Sequence, residues 1–322
     1  MTTTEQCKQL VDIELEKLLP KKDPSEFYNS MNEQVLTGGK RIRPIFCLLV
    51  CEALGGNVET AVPVAAAVEL IQAMSLVHDD IMDQDELRRG KPTLWKTQGE
   101  ALAIDVGDGI FAKSIEALLR YTGENYQEVF KVFSNGIINM CEGQAWDVLF
   151  EKKDSLTIED YNQMSILKTG VHIATSLKLG AMIANADKQT QEKIYSAGIK
   201  LGLAYQIWDD YIDFASNKTG KTRGSDIKKG KKTSIVCHAL QHLEETDKAE
   251  LVKILETSVE ETTEEMINNA IQLLDKTGSI EFAKTEATRL IEESKKELDI
   301  LPDSEAKNEI LKIVGFIVTR ES

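Results

Sequence analysis

Apolar residues recur at intervals of three and four along most of this chain, which is the spacing of an α-helix rather than a β-strand. Two segments, 45–54 and 62–82, are especially rich in apolar residues, and a glycine-containing break at 55–57 separates them. The second segment is apolar on nearly every side, which predicts a helix buried in the core. A short helix is predicted before a proline-bounded loop at 20–24, and further helices are predicted at 99–121, 126–150, 158–184, 188–213, 234–243, 247–256, 262–276, 279–298 and 306–319.

The composition favours the same kind of structure. Aromatic residues make up 6% of the 322 residues, there are 6 prolines, and Ala, Leu, Ile, Glu and Lys are abundant, which is a helix-forming balance. From residue 244 onward the pattern becomes amphipathic and strongly charged, which is typical of a solvated outer layer. The sequence therefore predicts an all-α fold, and its length allows one large domain or two ordinary ones.

The charge and the cysteines exclude several classes of function. A net charge of −15 argues against a nucleic-acid partner and against general attraction to anionic membranes. The five cysteines form no CxxC pair and follow no secretory leader, which fits the reducing cytoplasm. Cys47 and Cys51 could share a helix face, but nearby ligands for zinc are lacking, so we expect both in the core. No stretch approaches about 18 uninterrupted apolar residues, so no integral membrane segment is predicted.

A DDxxD motif begins at Asp79 and again at Asp209, each time inside an apolar, helix-compatible stretch. Side chains at i and i+4 share a helix face, so Asp79 should project beside Asp83, and Asp209 beside Asp213. Such clustered carboxylates repel one another and are costly to desolvate without a cation. Hard oxygen ligands suit Mg²⁺, which commonly bridges one or two carboxylates to substrate phosphates. We therefore expect these four aspartates to bind a shared metal that carries a phosphorylated ligand.

Basic residues accompany both aspartate motifs. The segment GGKRIRP at 38–44 combines two flexible glycines with three cations, and its arginines can bind a diphosphate bidentately while its lysine adds a compact charge. A single basic patch is often just a solvated surface, but several in this order indicate binding of diphosphates. The other basic residues are Arg88 and Arg89, Lys168 in the sequence KTG, and Lys221, Arg223, Lys228, Lys229 and Lys231.

The order of these motifs resembles the trans-polyprenyl diphosphate synthase family over residues 38–231. The order is GGKRxRP, then DDxxD followed by RRG, then KTG, QxxDDxxD and GKxxGxDxxxGK. The segment HDDIMDxxxxRRG is similar in sequence to the corresponding segment of archaeal geranylgeranyl diphosphate synthases. The resemblance implies one domain over 1–322, a single helical bundle of the isoprenoid synthase type around a central active-site cavity, and a homodimer. It also implies head-to-tail condensation with several Mg²⁺ ions. An allylic diphosphate ionises, the double bond of isopentenyl diphosphate attacks, and a proton is lost as the chain grows by five carbons.

The resemblance also assigns roles to individual residues. Isopentenyl diphosphate is assigned to Lys40, Arg43, Gln72 and Arg89. The allylic diphosphate is assigned to Arg88, Lys168, Thr169, Gln206, Lys221 and Lys231. Stabilisation of the departing diphosphate is assigned to Asp79, Asp80, Asp83, Arg88, Lys168, Asp209, Asp210 and Lys231. Gln72 stands where many relatives carry His, and either side chain can donate a hydrogen bond to a phosphate.

Product length is expected to depend on residues that precede the first motif. One helical turn advances about 5.4 Å, close to the length of an isoprene unit. Met74 and Ser75 lie one turn before Asp79, and Ile71 lies two turns before it. Relatives that stop early often place a bulky aromatic residue near the first of these positions, and none stands here. The sequence predicts a twenty-carbon product, although Met is deformable and a longer polyprenyl chain or a farnesyl product stays open.

Two other functions share some of these features. A terpene cyclase would also ionise an allylic diphosphate at acidic helices, but GGKRIRP argues against it because a cyclase has no second diphosphate to hold. A non-catalytic subunit of a hetero-oligomeric synthase is the alternative from another class. Both intact aspartate motifs oppose it, since a regulatory subunit needs no metal-binding carboxylates.

Overall fold

The computed structural model describes residues 3–151, 153, 156–215 and 223–320. Almost all of its regular structure is helical, so the predicted all-α fold is confirmed. The elements are α1 (Thr4–Leu18), α2 (Ser25–Leu36), α3 (Ile42–Ala53), α4 (Val58–Met82), β1 (Leu87–Arg88), β2 (Lys91–Pro92), α5 (Leu94–Gln98), α6 (Glu100–Leu118), α7 (Tyr126–Glu151), α8 (Ile158–Ser165), a π-helical turn (Ile166–Gly170), α9 (Val171–Ile183), α10 (Lys188–Ala215), α11 (Ser225–Lys228), α12 (Ser234–His242), α13 (Glu245–Leu255), α14 (Glu264–Lys276), α15 (Ser279–Leu298) and α16 (Glu305–Ile317).

The structure departs from the predicted elements at several points. The short helices α2, α5 and α11 were not predicted, and a π-helical turn divides the segment that was predicted as one helix at 158–184. Helix α4 begins four residues before the predicted start and continues through Pro63. Its early start follows from Asn57, whose side chain accepts a hydrogen bond from the backbone N–H of Glu59 at 2.9 Å and caps the helix.

The described residues form two compact units, and the predicted single domain stays a prediction. Unit 1 is drawn from 1–137, 175–195 and 299–311, and unit 2 from 138–174, 196–298 and 312–322.

The core of unit 1 is α4, which packs against α3 and along α6. This helix is long and apolar enough to span a membrane, but 72% of its apolar window is buried in the fold. The burial identifies α4 as the predicted core helix. Gly107 allows α6 to approach α4 closely, because a Cβ at that position would lie 2.1 Å from Nε2 of His78.

A buried arginine fixes the GGKRIRP loop to the rest of unit 1. Arg41 is 4% exposed and has a positive φ of 49°. Its guanidinium donates hydrogen bonds to Glu69 at 2.6 Å, to Asp12 at 3.0 Å and to the carbonyl of Val35 at 2.7 Å. The expectation that all three cations of the loop face a diphosphate is therefore wrong for Arg41, whose charge is used inside the fold.

The helices of unit 2 meet in backbone contact. A Cβ added to Gly198 would lie 2.4 Å from Cα of Ala174, and one added to Gly202 would lie 2.3 Å from Cα of Gly170. These glycines bring α10 directly against α9 and the π-helical turn. Helix α12 packs against α8 and α15.

Replacement of Arg41 by Met should lower the free energy of unfolding by about 3–5 kcal/mol, because Glu69 would stay buried without its partner. Arg289 is a matched control, since its ion pairs with Glu286 and Glu293 lie on an exposed side chain. The change Arg289→Met should cost less than about 1 kcal/mol. Urea denaturation measures both variants, and equal losses would contradict the structural role of Arg41.

Candidate active site

The first aspartate motif occupies the end of α4. The backbone N–H of Asp83 donates to the carbonyl of Asp79 at 2.8 Å, so helical geometry extends to the last aspartate. Asp79 and Asp83 are one turn apart and partly exposed, whereas Asp80 is 4% exposed. The first and last carboxylates therefore stand on one helix face, as predicted, while the middle one is directed into the protein.

Asp80 fixes Arg88 beside the motif. Nε of Arg88 donates to Oδ1 of Asp80, and its Nη2 lies 3.9 Å from Oδ2 of Asp85. Burial raises the pKa of Asp80, and the positive charge of Arg88 opposes that rise. Arg88 ends β1 of a short antiparallel hairpin, and the turn residues Arg89 and Gly90 both have positive φ, of 54° and 76°. Two positive φ values are typical of the tight hairpin turn that favours glycine at its second position.

The hairpin turn contacts the GGKRIRP loop. Nη1 of Arg89 donates to the carbonyl of Gly38 at 2.7 Å. Burial raises the pKa of Glu69, and the charges of Arg41, Arg43 and Arg89 all oppose the rise, which places these cations close to one carboxyl. Unit 1 thus brings together Arg43 and Arg89, two of the residues expected to bind isopentenyl diphosphate. The other two adjoin them: Lys40 is exposed on the same loop, and Gln72 is partly exposed one turn beyond Glu69.

The residues expected to set product length lie along α4. Ile71 and Met74 are 1% and 7% exposed, so both belong to the packed core of unit 1. Ser75 is partly exposed, and its hydroxyl donates to the carbonyl of Gln72 at 2.9 Å. Since α4 is helical throughout, Ser75 and Ile71 precede Asp79 by one and two turns as the sequence predicts.

Each aspartate of the second motif, near the end of α10, has a different partner. Asp209 is exposed, and its Oδ1 accepts a hydrogen bond from Nη2 of Arg320 at 3.1 Å. Asp213 accepts hydrogen bonds from the hydroxyl of Ser225 and, at 3.1 Å, from the backbone N–H of Asp226. The last aspartate thereby anchors the basic loop that follows the motif.

The middle aspartate of the second motif joins three helices. Oδ2 of Asp210 accepts hydrogen bonds from the hydroxyl of Tyr161 at 2.6 Å and from the backbone N–H and hydroxyl of Ser234, each at 2.9 Å. Burial and, to a smaller extent, the charge of Asp226 raise the pKa of Asp210 to about 7, although these hydrogen bonds act to lower it. Asp210 thus ties α10 to α8 and to the first turn of α12. Nothing in the sequence indicated Tyr161 or Ser234, which lie 49 and 24 residues away.

The π-helical turn presents Lys168 and Thr169. Nζ of Lys168 donates to Oδ2 of Asp147 at 2.6 Å, and the hydroxyl of Thr169 donates to the side chain of Gln206 at 3.2 Å. A π-helical turn widens a helix locally and often occurs at functional sites. Space for this one comes from Gly143 on α7, where a Cβ would lie 2.1 Å from the backbone nitrogen of Lys168.

The basic loop after the second motif is described in part. Lys231 is exposed, and its backbone N–H donates to the carbonyl of Asp226 at 2.9 Å. Through Asp226 this lysine is connected to Asp213, so the loop and the motif are held together. Lys221 lies outside the described residues.

The donors of both motifs fit a divalent hard cation. Both groups of carboxylates lie near the C-terminal end of a helix, where the helix dipole disfavours negative charge. A cation relieves that repulsion, and oxygen donors one turn apart suit Mg²⁺. No group of three or more His, Cys, Asp or Glu side chains converges as a complete metal site in the part of the chain that the structure describes. A cation bound here therefore needs further ligands, such as water or phosphate oxygens.

The change Gly143→Ala should destabilise the protein by about 1–3 kcal/mol, because the new methyl group would overlap the backbone of Lys168 and force the π-helical turn to move. At Gly315, a Cβ would meet no atom within 4 Å. The change Gly315→Ala should leave the free energy of unfolding unchanged or raise it by up to about 1 kcal/mol. Urea denaturation compares the two variants. If the Gly143→Ala variant were as stable as the wild type, the π-helical turn would not depend on this glycine.

Comparison with known proteins places the chain in a family. The Polyprenyl synthetase family profile matches residues 24–274. The chain is 38% identical to a short chain isoprenyl diphosphate synthase from Methanothermobacter thermautotrophicus, over 92% of this chain and 91% of the relative. It is 33% identical to a geranylfarnesyl diphosphate synthase from Natronomonas pharaonis, over 97% of this chain and 95% of the relative. A crystal structure of geranylgeranyl pyrophosphate synthetase from Pyrococcus horikoshii matches with a TM-score of 0.93 and 40% identity, covering 98% of this chain and 97% of that one. The chain therefore belongs to the polyprenyl synthetase family, as the order of its motifs predicts.

Proposed function

We propose that this protein condenses isopentenyl diphosphate head-to-tail with an allylic diphosphate. The observation that carries the proposal is the pair of DDxxD motifs at helix ends, each with cationic side chains that neighbouring elements hold in place. Membership of the polyprenyl synthetase family supports the same reaction. In this reaction the allylic carbon–oxygen bond breaks, a carbon–carbon bond to isopentenyl diphosphate forms, and the product loses a proton.

Isopentenyl diphosphate binds, in this proposal, to Arg43, Arg89, Lys40 and Gln72. Arg43 and Arg89 supply planar guanidinium groups that suit a diphosphate, and the exposed Lys40 adds a third charge. Arg41 fixes the loop that carries Lys40 and Arg43 through its contacts with Glu69 and Asp12. Gln72 contributes an uncharged hydrogen-bond donor.

The allylic diphosphate requires neutralisation of its charge as it departs. Arg88, Lys168 and Lys231 contribute positive charge, Thr169 and Gln206 contribute hydrogen-bonding groups, and Lys221 joins them by its match to the family motif. Two unit charges about 4 Å apart at an effective dielectric near 20 interact by about 4 kcal/mol, so several cations lower an ionisation barrier substantially. The ligands proposed for several Mg²⁺ ions are Asp79, Asp83, Asp209 and Asp213. Bound Mg²⁺ would supply Lewis-acid neutralisation of the diphosphate oxygens.

The two middle aspartates contribute indirectly. Asp80 is buried against Arg88 and sets the direction of that guanidinium. Asp210 is buried against Tyr161 and Ser234 and fixes the start of α12, next to the loop that carries Lys231. Loss of either aspartate would therefore displace a cation.

We propose geranylgeranyl diphosphate, with twenty carbons, as the main product. No aromatic side chain stands at Met74 or Ser75, so growth beyond fifteen carbons is not blocked there. The Pyrococcus horikoshii structure that matches the chain is named as a geranylgeranyl pyrophosphate synthetase. A twenty-five-carbon product is the second candidate, since Met74 is deformable and a relative is named as a geranylfarnesyl diphosphate synthase.

Incubation of the purified chain with farnesyl diphosphate, isopentenyl diphosphate and Mg²⁺ should give a predominantly twenty-carbon product by chromatography. Asp79→Asn removes a proposed metal ligand and should lower turnover by about 10²–10³-fold, the loss typical of a removed electrostatic group. Asp303→Asn is the matched control, because that side chain is fully exposed and pairs with Lys307.

Three outcomes would contradict parts of the proposal. Products dominated by chains beyond twenty carbons would exclude the assigned length. Unchanged turnover in Asp79→Asn, with the circular dichroism spectrum preserved, would exclude a metal role for that aspartate. Consumption of isopentenyl diphosphate that requires a second, different chain would favour a non-catalytic subunit.

We propose a cytoplasmic homodimer as the working form. All five cysteines are free thiols, which suits a reducing compartment. Large apolar side chains are exposed on neighbouring parts of the chain in unit 1. They are Ile104, Phe111 and Leu119, at 46%, 37% and 69% exposure, and Tyr126 and Phe130, at 52% and 38%. Such a patch is typical of a surface that a second copy covers.

The double change Phe111→Asp with Leu119→Asp should convert the dimer to a monomer in light scattering coupled to size-exclusion chromatography. Charges placed in a covered apolar surface lose their hydration without gaining partners. Val259→Asp is the control, since Val259 is 46% exposed and belongs to unit 2, and the dimer should persist. A monomeric wild-type protein, or a dimer in the double variant, would remove this surface from consideration.

A further inference from the structure

The segment after α16 is attached to the second aspartate motif. The backbone N–H of Arg320 donates to the carbonyl of Phe316 at 3.0 Å, which continues the turn that ends α16. The carbonyl of Arg320 accepts a hydrogen bond at 3.2 Å from Nε1 of Trp208, the residue directly before Asp209. Arg320 is 8% exposed, so it belongs to the packed interior of unit 2.

The guanidinium of Arg320 packs against α10 and contacts Tyr205 and Asp209. Its Nη2 donates to Oδ1 of Asp209 at 3.1 Å and to the carbonyl of Tyr205 at 3.2 Å. Its central carbon lies 3.8 Å from the centroid of the Tyr205 ring, which is a cation–π contact. Three contacts with one turn of α10 therefore fix the direction of this side chain.

Burial of the charged guanidinium of Arg320 costs free energy unless interactions with other groups compensate for it. Nε is buried and has no hydrogen-bond partner among the residues that the structure describes. A buried donor without a partner destabilises a protein, and a buried charge does so more strongly. The side chain of Asp209, in contrast, is 59% exposed, so its carboxylate still faces solvent while Arg320 holds one of its oxygens.

We propose that Arg320 is a positioning residue for the metal, a role that rests on the proposed function of Asp209 as a ligand. Arg320 holds Oδ1 of Asp209, which would leave Oδ2 available as the metal ligand. Removal of a partner that orients a metal ligand typically weakens metal binding by 10- to 100-fold, about the effect expected here. The second motif thus depends on a residue 111 positions further along the chain.

Isothermal titration calorimetry with Mg²⁺ and inorganic pyrophosphate, without prenyl substrates, measures this effect independently of turnover. Arg320→Met keeps a long apolar side chain over Tyr205 and removes the charge, so it should weaken Mg²⁺ binding by about 10-fold. Arg320→Gln should behave alike, and it decides the question if the Met variant does not fold. Arg320→Lys keeps a charge and should recover part of the affinity. Arg289→Met, which removes a surface arginine of α15, should bind as the wild type does.

The outcomes separate this inference from the proposed function. Wild-type affinity in folded Arg320→Met or Arg320→Gln would overturn the role of Arg320 alone. Tighter binding in these variants would also overturn it, because Arg320 would then compete with the cation for Asp209. A wild-type chain that binds neither Mg²⁺ nor pyrophosphate would instead remove the proposed function, and this inference with it. In steady-state assays, the Mg²⁺ concentration for half-maximal turnover should rise by the same factor as the dissociation constant.

Discussion

Carboxylates gathered at the negative ends of two helices are the constraint on which the rest of this structure depends. Such an arrangement is unfavourable, because the helix dipole and the neighbouring aspartates repel each carboxylate. The protein compensates with Arg88 at Asp80, Arg320 at Asp209, and hydroxyl or backbone donors at Asp210 and Asp213. The two middle aspartates are buried, and each accepts hydrogen bonds that orient a neighbouring side chain or helix. The first and last aspartates of each motif are exposed or partly exposed, so a cation from the solvent can reach them.

Close backbone contact positions Lys168, whose ammonium group pairs with Asp147. Gly143 leaves room for the turn that carries Lys168, and Gly202 lets α10 approach the same turn at Gly170. Larger residues at either glycine would push the helices apart by overlap with backbone atoms, which cannot yield as a flexible side chain does. Sites held by rigid elements keep their geometry better than sites on loops. The positions of Lys168 and Thr169 are therefore set largely by packing inside unit 2.

Local spacing made much of this predictable. The i and i+4 relation of Asp79 and Asp83, the core position of α4 and the family itself all follow from short sequence patterns. Contacts over long separations did not, since no periodicity links Arg320 to Asp209 or Tyr161 to Asp210. The π-helical turn was also missed, because a single extra residue in a helical repeat leaves the apolar pattern of 158–184 nearly unchanged. In the sequence Arg41 looks equivalent to the other two cations of its loop, and it is the positive φ and the buried contacts with distant residues such as Glu69 that distinguish it.

Anomalous diffraction from crystals grown with Mn²⁺ and pyrophosphate tests most directly whether the aspartate motifs hold metal for a departing diphosphate. Manganese prefers the same oxygen ligands as magnesium and can be located without ambiguity. Peaks bound by Asp79 and Asp83, with a further peak bound by Asp209, and pyrophosphate oxygens completing their coordination, are the expected result. Pyrophosphate bound by arginine and lysine alone, with no manganese at any of these carboxylates, would contradict it.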